Sequence, residues 1–168
     1  MVVSEQMPAG VEIERKFLVD RPPRDLDAQP AADIDQGYIA ITEDGVEVRI
    51  RSYGGRSFLT IKSAGAEVRL EEEIEIDERR FRSLWPLTAG RRIRKRRYLI
   101  SSANGVRIEL DVYRDHLSGL VTAEVEFDSE DAAAAFTAPP WLGREITDEP
   151  AYKNQRLAVD GLPGTTDP

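Results

Sequence analysis

Cysteine is absent from the 168-residue chain, and histidine occurs once, at His116. The first absence removes disulfides, thiolate metal centres and a cysteine nucleophile, and leaves nothing to argue for an oxidising compartment. The second removes an imidazole-rich transition-metal site. No apolar run is long enough to cross a bilayer, and the N-terminus lacks the basic-then-apolar pattern of a secretion signal. A cytoplasmic protein without a membrane partner is expected. Basic charge is also in deficit, with 23 Lys and Arg against 31 Asp and Glu for a net charge of -8. Such a surface repels nucleic acid, so bases that hold an anion must be gathered locally. The carboxylates themselves suit hard cations, magnesium or manganese.

The length fits a single domain over residues 1–168, with mobile ends at about 1–8 and 161–168. Alternate residues of a strand share a face. In Val11 to Val19 this puts Glu12, Glu14 and Lys16 together, with Val11, Ile13 and Phe17 opposed. Asp20 to Asp35 holds Pro22, Pro23 and Pro30 and reads as a long connection. A strand at Gln36 to Thr42 sets Tyr38 beside Gln36, and Val46 to Arg51 sets Glu47, Arg49 and Arg51 against Val46, Val48 and Ile50. Ser57 to Lys62 aligns Thr60 with Lys62, and Glu67 to Ile76 aligns Arg69, Glu71, Glu73 and Glu75.

The period then changes, and Phe81, Leu84 and Trp85 at helical spacing, after Asp77 as N-cap and before Pro86, predict a covering helix. The basic run Arg91 to Arg97 resembles a nucleic-acid patch as a string, yet as a strand it divides by parity. Lys95 and Arg97 take one face, while Arg94 and Arg96 take the other as surface or structural residues, a role also given to His116. Asn104-Gly105 is a hairpin turn into Val106 to Val112, which carries Glu109 and Asp111 on one face. Val121 to Phe127 carries Glu124 and Glu126. A capped alanine-rich helix from Ser129 to about Phe136, the Pro139 to Gly143 loop and a final helix from Glu149 to about Val159 complete the chain.

About eight strands thus pair an aliphatic face with a charged one. Small barrels ordinarily turn the apolar face inward. If the helices cover that face from outside, the interior is lined by Glu12, Glu14, Glu71, Glu73, Glu109, Asp111, Glu124 and Glu126, with Lys16, Arg49, Arg51, Lys62, Lys95 and Arg97. Unpartnered buried charge is too costly, so such a lumen stays wet or holds neutralising ligands. A polyphosphate on the bases, joined by divalent cations to the acids, meets that demand. A sandwich with a charged solvent face also satisfies the patterning.

From about Val11 to Ala158 the chain resembles CYTH-domain proteins, the triphosphate tunnel metalloenzymes. Glu12-Ile-Glu14-Arg-Lys16 fits their Glu-x-Glu-x-Lys signature. Gln36-Gly-Tyr38, Val48-Arg-Ile-Arg51, Leu59-Thr-Ile-Lys62, Arg69-Leu-Glu71-Glu-Glu73, Glu109-Leu-Asp111, Glu124-Val-Glu126 and Tyr152-Lys-Asn154 follow in the family's order. Trp85-Pro86, Asp111-Val-Tyr and Pro-Pro-Trp141 liken it most to small bacterial inorganic triphosphatases.

The resemblance implies an α+β, mainly antiparallel fold, an eight-stranded closed tunnel with a charged interior and a few covering helices. It implies divalent-metal-dependent hydrolysis of inorganic triphosphate to pyrophosphate and phosphate, with magnesium or manganese. Arg49, Arg51, Lys62, Arg69, Lys95 and Arg97 would grip phosphate. Glu12, Glu14, Glu71, Glu73, Glu109, Asp111, Glu124 and Glu126 would hold metal. Lys16 and Tyr38 would orient the water or the terminal phosphoryl group, near a metal at Glu12 and Glu14. Some relatives cleave nucleoside or thiamine triphosphates or cyclise ATP, and a non-catalytic polyphosphate module is a third reading. Any protein partner expected is a second copy of the chain, in a homodimer.

Overall fold

The computed structural model describes residues 13–63, 71–101 and 105–164. Its strands are β1 (Ile13–Leu18), β2 (Ala31–Ile41), β3 (Glu47–Tyr53), β4 (Arg56–Lys62), β5 (Glu71–Ile76), β6 (Arg92–Ser101), β7 (Arg107–Tyr113) and β8 (Val121–Phe127). The helices are α1 (Glu78–Leu84), α2 (Glu130–Ala135) and α3 (Asn154–Asp160). All eight strands form one sheet in the order β1-β8-β7-β6-β2-β3-β4-β5, antiparallel throughout. No described helix is long and apolar enough to cross a membrane.

Residues directly opposite in an antiparallel pair share a face, so the register assigns the faces. Lys16 lies opposite Glu124, Glu124 opposite Glu109, Asp111 opposite Arg97, Arg49 opposite Thr60 and Lys62 opposite Glu71. The charged residues therefore share one face of the sheet, as their parity predicts. The other face is apolar: Phe17, Val19, Ile108, Leu110, Ala123 and Val125 bury with Leu142, and Phe136 and Trp141 pack over them. A second apolar cluster joins the ends of the charged strands to α3. It unites Tyr38, Ile93 and Tyr113 with Leu117, Leu120, Leu157 and Ala158, so α3 lies across one end of the charged face.

The expected closure is not made by hydrogen bonds, since among the described residues the ladder runs from β1 to β5 without joining them. The edge of β1 is already used by the returning chain. Leu18 N donates to Arg144 O at 2.9 Å, Gly143 N to Leu18 O at 2.8 Å and Ile146 N to Lys16 O at 2.8 Å. Thr147 Oγ1 takes the Lys16 N–H at 3.0 Å. Gly143 allows this approach, because a Cβ there would stand 2.8 Å from Leu18 O.

Two other expectations are corrected. The connection after β1 ends at Pro30, and 31–35 belong to β2, paired with Tyr98 to Arg94 of β6. Aspartate is depleted in strands, but here Asp33 and Asp35 meet Arg96 at 3.1 Å and Arg94 at 2.9 Å across the ladder. The final helix is likewise split. A 3-10 turn at Pro150–Tyr152 gives way to an extended Lys153 before α3 begins at Asn154. Residues 1–12, 64–70, 102–104 and 165–168, with Glu12, Arg69, Asn104 and the outer parts of the expected mobile ends among them, lie outside the described residues.

Helix α1 starts as expected, with Asp77 accepting from Arg80 N, and continues as a 3-10 turn at Trp85–Thr88. Thr88 is buried against Gly37 of β2, where an added Cβ would lie 2.5 Å from Thr88 Cβ. Thr88 cannot swing away, because its hydroxyl donates to Trp85 O at 2.7 Å and accepts from Arg92 Nε at 2.9 Å. Gly37→Ala should cost about 1–3 kcal/mol by overpacking, measured by urea denaturation, and Thr88→Gly should relieve it. Unchanged stability of Gly37→Ala would contradict this packing.

Candidate functional site

Strands β6 and β7 bring the two most buried charges, Asp111 and Lys95, together with Arg97. Asp111 is 0% exposed, Lys95 2% and Arg97 9%. Asp111 Oδ2 accepts from Lys95 Nζ at 2.6 Å and Arg97 Nη2 at 2.7 Å, while Oδ1 accepts from Arg97 Nε at 2.8 Å. Arg97 also reaches Glu109 and, at 3.1 Å, Glu124. It thereby offsets the repulsion of two carboxylates that stand directly opposite each other. Burial works against the Arg97 charge, but the hydrogen bond and charge of Asp111, with Glu124 and Glu109, raise its pKa.

Lys16 of β1 joins this group through Glu124 Oε1 at 2.8 Å and donates to the Tyr152 carbonyl at 3.1 Å. Burial alone would raise the pKa of Glu124. The charges of Lys16, Lys95 and Arg97 outweigh it and hold the carboxyl well below the usual range.

Strands β3, β4 and β5 supply a second basic group. Lys62 Nζ meets Glu71 at 2.9 Å and Arg51 Nη2 meets Glu73 at 3.0 Å. Glu73 Oε2 also accepts from Thr60 Oγ1 at 3.1 Å. Arg49 comes within 3.6 Å of Glu71, beyond ordinary hydrogen-bond length. Arg49 Nε and Arg51 Nε are both buried with no protein acceptor. Arg51 is pulled down in pKa by burial and by its like-charged neighbour Arg49, against the pull of Glu73. Two guanidinium groups are thus held side by side with donors to spare.

Tyr38 lies between the two groups, 1% exposed, with its hydroxyl accepting from Gln36 Nε2 at 3.0 Å. Burial pushes the Tyr38 pKa up despite the opposing charge of Arg49, so the hydroxyl keeps its proton at neutral pH. Lys16, Tyr38, Arg49, Arg51, Lys62, Lys95 and Arg97 all occupy the charged face, as do Glu14, Glu71, Glu73, Glu109, Asp111, Glu124 and Glu126. Glu12 and Arg69 lie outside the described residues. Arg94 and Arg96 point the other way, into ion pairs with Asp35 and Asp33.

Among the described residues no three acidic or histidine side chains already converge on one metal position. The acids nonetheless present oxygen donors alone, and Glu14 stands directly opposite Glu126. That set fits a hard divalent cation better than a soft one.

Sequence reasoning missed Gln36, Thr60 and Tyr113 as parts of the site. Parity could have found all three, since each continues a charged face already named. It also missed Arg91, which leaves the basic run to donate to the carbonyls of Tyr38, Ile39 and Leu87. No spacing announces that role.

The depressed Glu124 pKa carries a sign. Such a carboxyl stabilises the fold above its unfolded pKa, about 4.3, and loses that contribution as pH falls through the folded value. Glu124→Gln should therefore be less stable than the parent at neutral pH, with the gap narrowing progressively as pH falls below about 4 in urea denaturation. A gap independent of pH would show that the Glu124 charge plays no part.

The CYTH domain model matches residues 10–156. An inorganic triphosphatase of Nitrosomonas europaea is 49% identical over 149 residues, covering 88% of this chain and 97% of the relative. An inorganic triphosphatase of Acetivibrio thermocellus is 34% identical over 150 residues, covering 88% and 93%. A crystal structure of an inorganic triphosphatase superposes with a TM-score of 0.75 at 45% identity, covering 94% of this chain and 99% of that one. With one sheet order, one charged face and this extent of likeness, the chain belongs to the CYTH domain family.

Proposed function

We propose that this protein is a divalent-metal-dependent inorganic triphosphatase that hydrolyses tripolyphosphate to pyrophosphate and phosphate. The observation that carries the reading is the pair of buried donors, Arg49 Nε and Arg51 Nε, without protein acceptors on a face where the other bases meet acids. Orphaned buried donors cost free energy unless an acceptor arrives. Phosphate oxygens match guanidinium forks, and several oxygens in a row match several bases in a row. The two inorganic triphosphatases similar to this chain support the same reaction.

In this reading Arg49 and Arg51 hold one end of the triphosphate, and Lys95 and Arg97 hold the other. Lys62 lies beyond Arg49, and Arg69 completes the grip. The acids behind each base fix its direction: Asp111 for Lys95 and Arg97, Glu73 for Arg51, Glu71 for Lys62. Water attacks the terminal phosphorus, the new P–O bond forms as the anhydride bond breaks, and pyrophosphate leaves with the bonding electrons. Little covalent work falls to the protein, so positioning and charge neutralisation carry the rate.

Tyr38 retains its proton and serves as a donor to the water or a phosphoryl oxygen rather than as a base. Lys16, fixed by Glu124 and the Tyr152 carbonyl, faces the same region. Glu14 and Glu126, together with Glu12, would hold magnesium or manganese. Bound there, such an ion lowers the pKa of a coordinated water and screens phosphate charge. Glu109 and Glu124 are engaged first by Arg97.

Nucleotides fit less well. Phe58 on the charged face is already covered by Arg51 at 5.8 Å and Arg56 at 5.1 Å, and Tyr113 lies under Lys95 at 5.3 Å. Neither ring offers adenine a free platform.

A phosphate-release assay over tripolyphosphate, pyrophosphate and ATP tests the reading. Tripolyphosphate should exceed ATP in kcat/KM by at least about tenfold, and excess chelator should abolish turnover. Arg51→Ala should lose about 2–4 kcal/mol in kcat/KM, the scale of a charge-assisted bond in a water-poor site, while Arg94→Ala is nearly silent. Equal turnover of ATP, or full activity in chelator, would overturn it.

A further inference from the structure

The segment that opens α3 touches the charged face at two points. The Tyr152 carbonyl accepts from Lys16 Nζ at 3.1 Å, and Asn154 Oδ1 accepts from the Tyr113 hydroxyl at 2.8 Å. Tyr113 is 2% exposed, lies directly opposite Lys95 and presents its ring 5.3 Å from Lys95 Nζ. Each lysine is therefore held from one side by an acid, Glu124 for Lys16 and Asp111 for Lys95. From the other side each is met by the segment 152–154 or by the tyrosine that the segment fixes.

The turn that makes this arrangement is sharp. A 3-10 turn ends at Tyr152, Lys153 is extended at φ -66° and ψ 138°, and α3 starts at Asn154. Helix starts are commonly capped by the side chain of the preceding residue, and Lys153 supplies no such cap here. Asn154 instead sends its carboxamide to a residue 41 positions earlier in the chain. This contact pins α3 and the Tyr152 carbonyl to β7. A free lysine side chain spreads over many rotamers at about 2 kcal/mol of entropy, so confining it before substrate arrives strengthens binding and aligns the ammonium.

We propose that Asn154 is a positioning residue for triphosphate hydrolysis: by fixing Tyr113 and the Tyr152 carbonyl, it holds Lys95 and Lys16 toward the phosphates. The inference rests on reading the charged face as the triphosphate site. Asn154 itself touches neither the reacting phosphorus nor the water. Its role differs from that of a packing residue such as Leu157, whose loss would lower stability without a selective effect on anion binding.

The test compares Asn154→Leu, Asn154→Asp, Tyr113→Phe and the double variant Asn154→Leu/Tyr113→Phe. Three quantities are read: kcat with tripolyphosphate and magnesium, metal-free tripolyphosphate affinity by calorimetry, and Tm. Asn154→Leu should lose about tenfold in kcat and about tenfold in affinity, with Tm within about 3 °C. Asn154→Asp keeps the acceptor and should recover most of both. The double variant should be no worse than Asn154→Leu alone, because both changes break one contact.

A drop in Tm alone, multiplicative losses in the double variant, or full activity and affinity in Asn154→Leu would overturn the proposal. If Asn154→Leu does not fold, Tyr113→Phe measures the same hydrogen bond with the ring kept. If the parent binds tripolyphosphate without hydrolysing it, the proposed function falls, and the affinity cycle still decides the role of Asn154. If the parent binds none, both fall.

Discussion

A carboxylate with no exposed surface is tolerable only with compensating charge, and Asp111 is held between Lys95 and Arg97 in the middle of the sheet. Desolvating one acid and two bases is expensive, and replacing such a cluster with apolar side chains often stabilises a protein. Its presence is therefore better explained by what it presents than by what it stabilises. One acid and two bases leave an excess of positive charge, and Arg97 spends part of it joining Glu109 and Glu124. Lys16 takes the other oxygen of Glu124. Through these contacts β1, β6, β7 and β8 share one electrostatic unit, and removing Asp111 would free Lys95 and leave Arg97 to Glu109 and Glu124.

The apolar parts of the fold serve that unit. The aliphatic face of β1, β7 and β8 takes Phe136, Trp141 and Leu142, so the strands turn their charges to the other side. Thr88 packs on Gly37 and seats the 3-10 turn behind β2, while Arg91 and Arg92 tie that turn to backbone carbonyls. The return segment along β1 passes the chain to Tyr152, whose carbonyl meets Lys16. Edge pairing, glycine placement and the split final helix thus converge on the position of two ammonium groups.

Strand parity made most of this arrangement legible in the sequence. Glu14 and Lys16, Arg49 and Arg51, Lys95 and Arg97, and Glu124 with Glu126 fall on one face because the side-chain period of a strand is two. The same rule separated Arg94 and Arg96 from Lys95 and Arg97 within a run that as a string suggests nucleic acid. Pairing between distant segments was not legible. Prolines made 20–35 read as a connection, and the arginine partners on β6 that hold Asp33 and Asp35 in a strand lie some sixty residues on. The 143–147 segment shows no alternation, since it pairs only through Gly143, Arg144, Ile146 and Thr147 and one isolated bridge at Glu145. Asn154 looked like part of one continuous helix because nothing local marks the break at Lys153.

In the proposed reading the spare donors of Arg49 and Arg51, with Lys95 and Arg97 beside them, form a seat for a linear triphosphate. A crystal structure of the protein with tripolyphosphate in excess chelator tests it most directly. Phosphate oxygens should lie within hydrogen-bond distance, about 2.7–3.2 Å, of Arg49 Nε and Arg51 Nε, with the anion extending toward Lys95. An anion lodged instead among Arg94, Arg96 and Arg114 on the opposite face, or a charged face that binds none at saturating tripolyphosphate, would contradict the account.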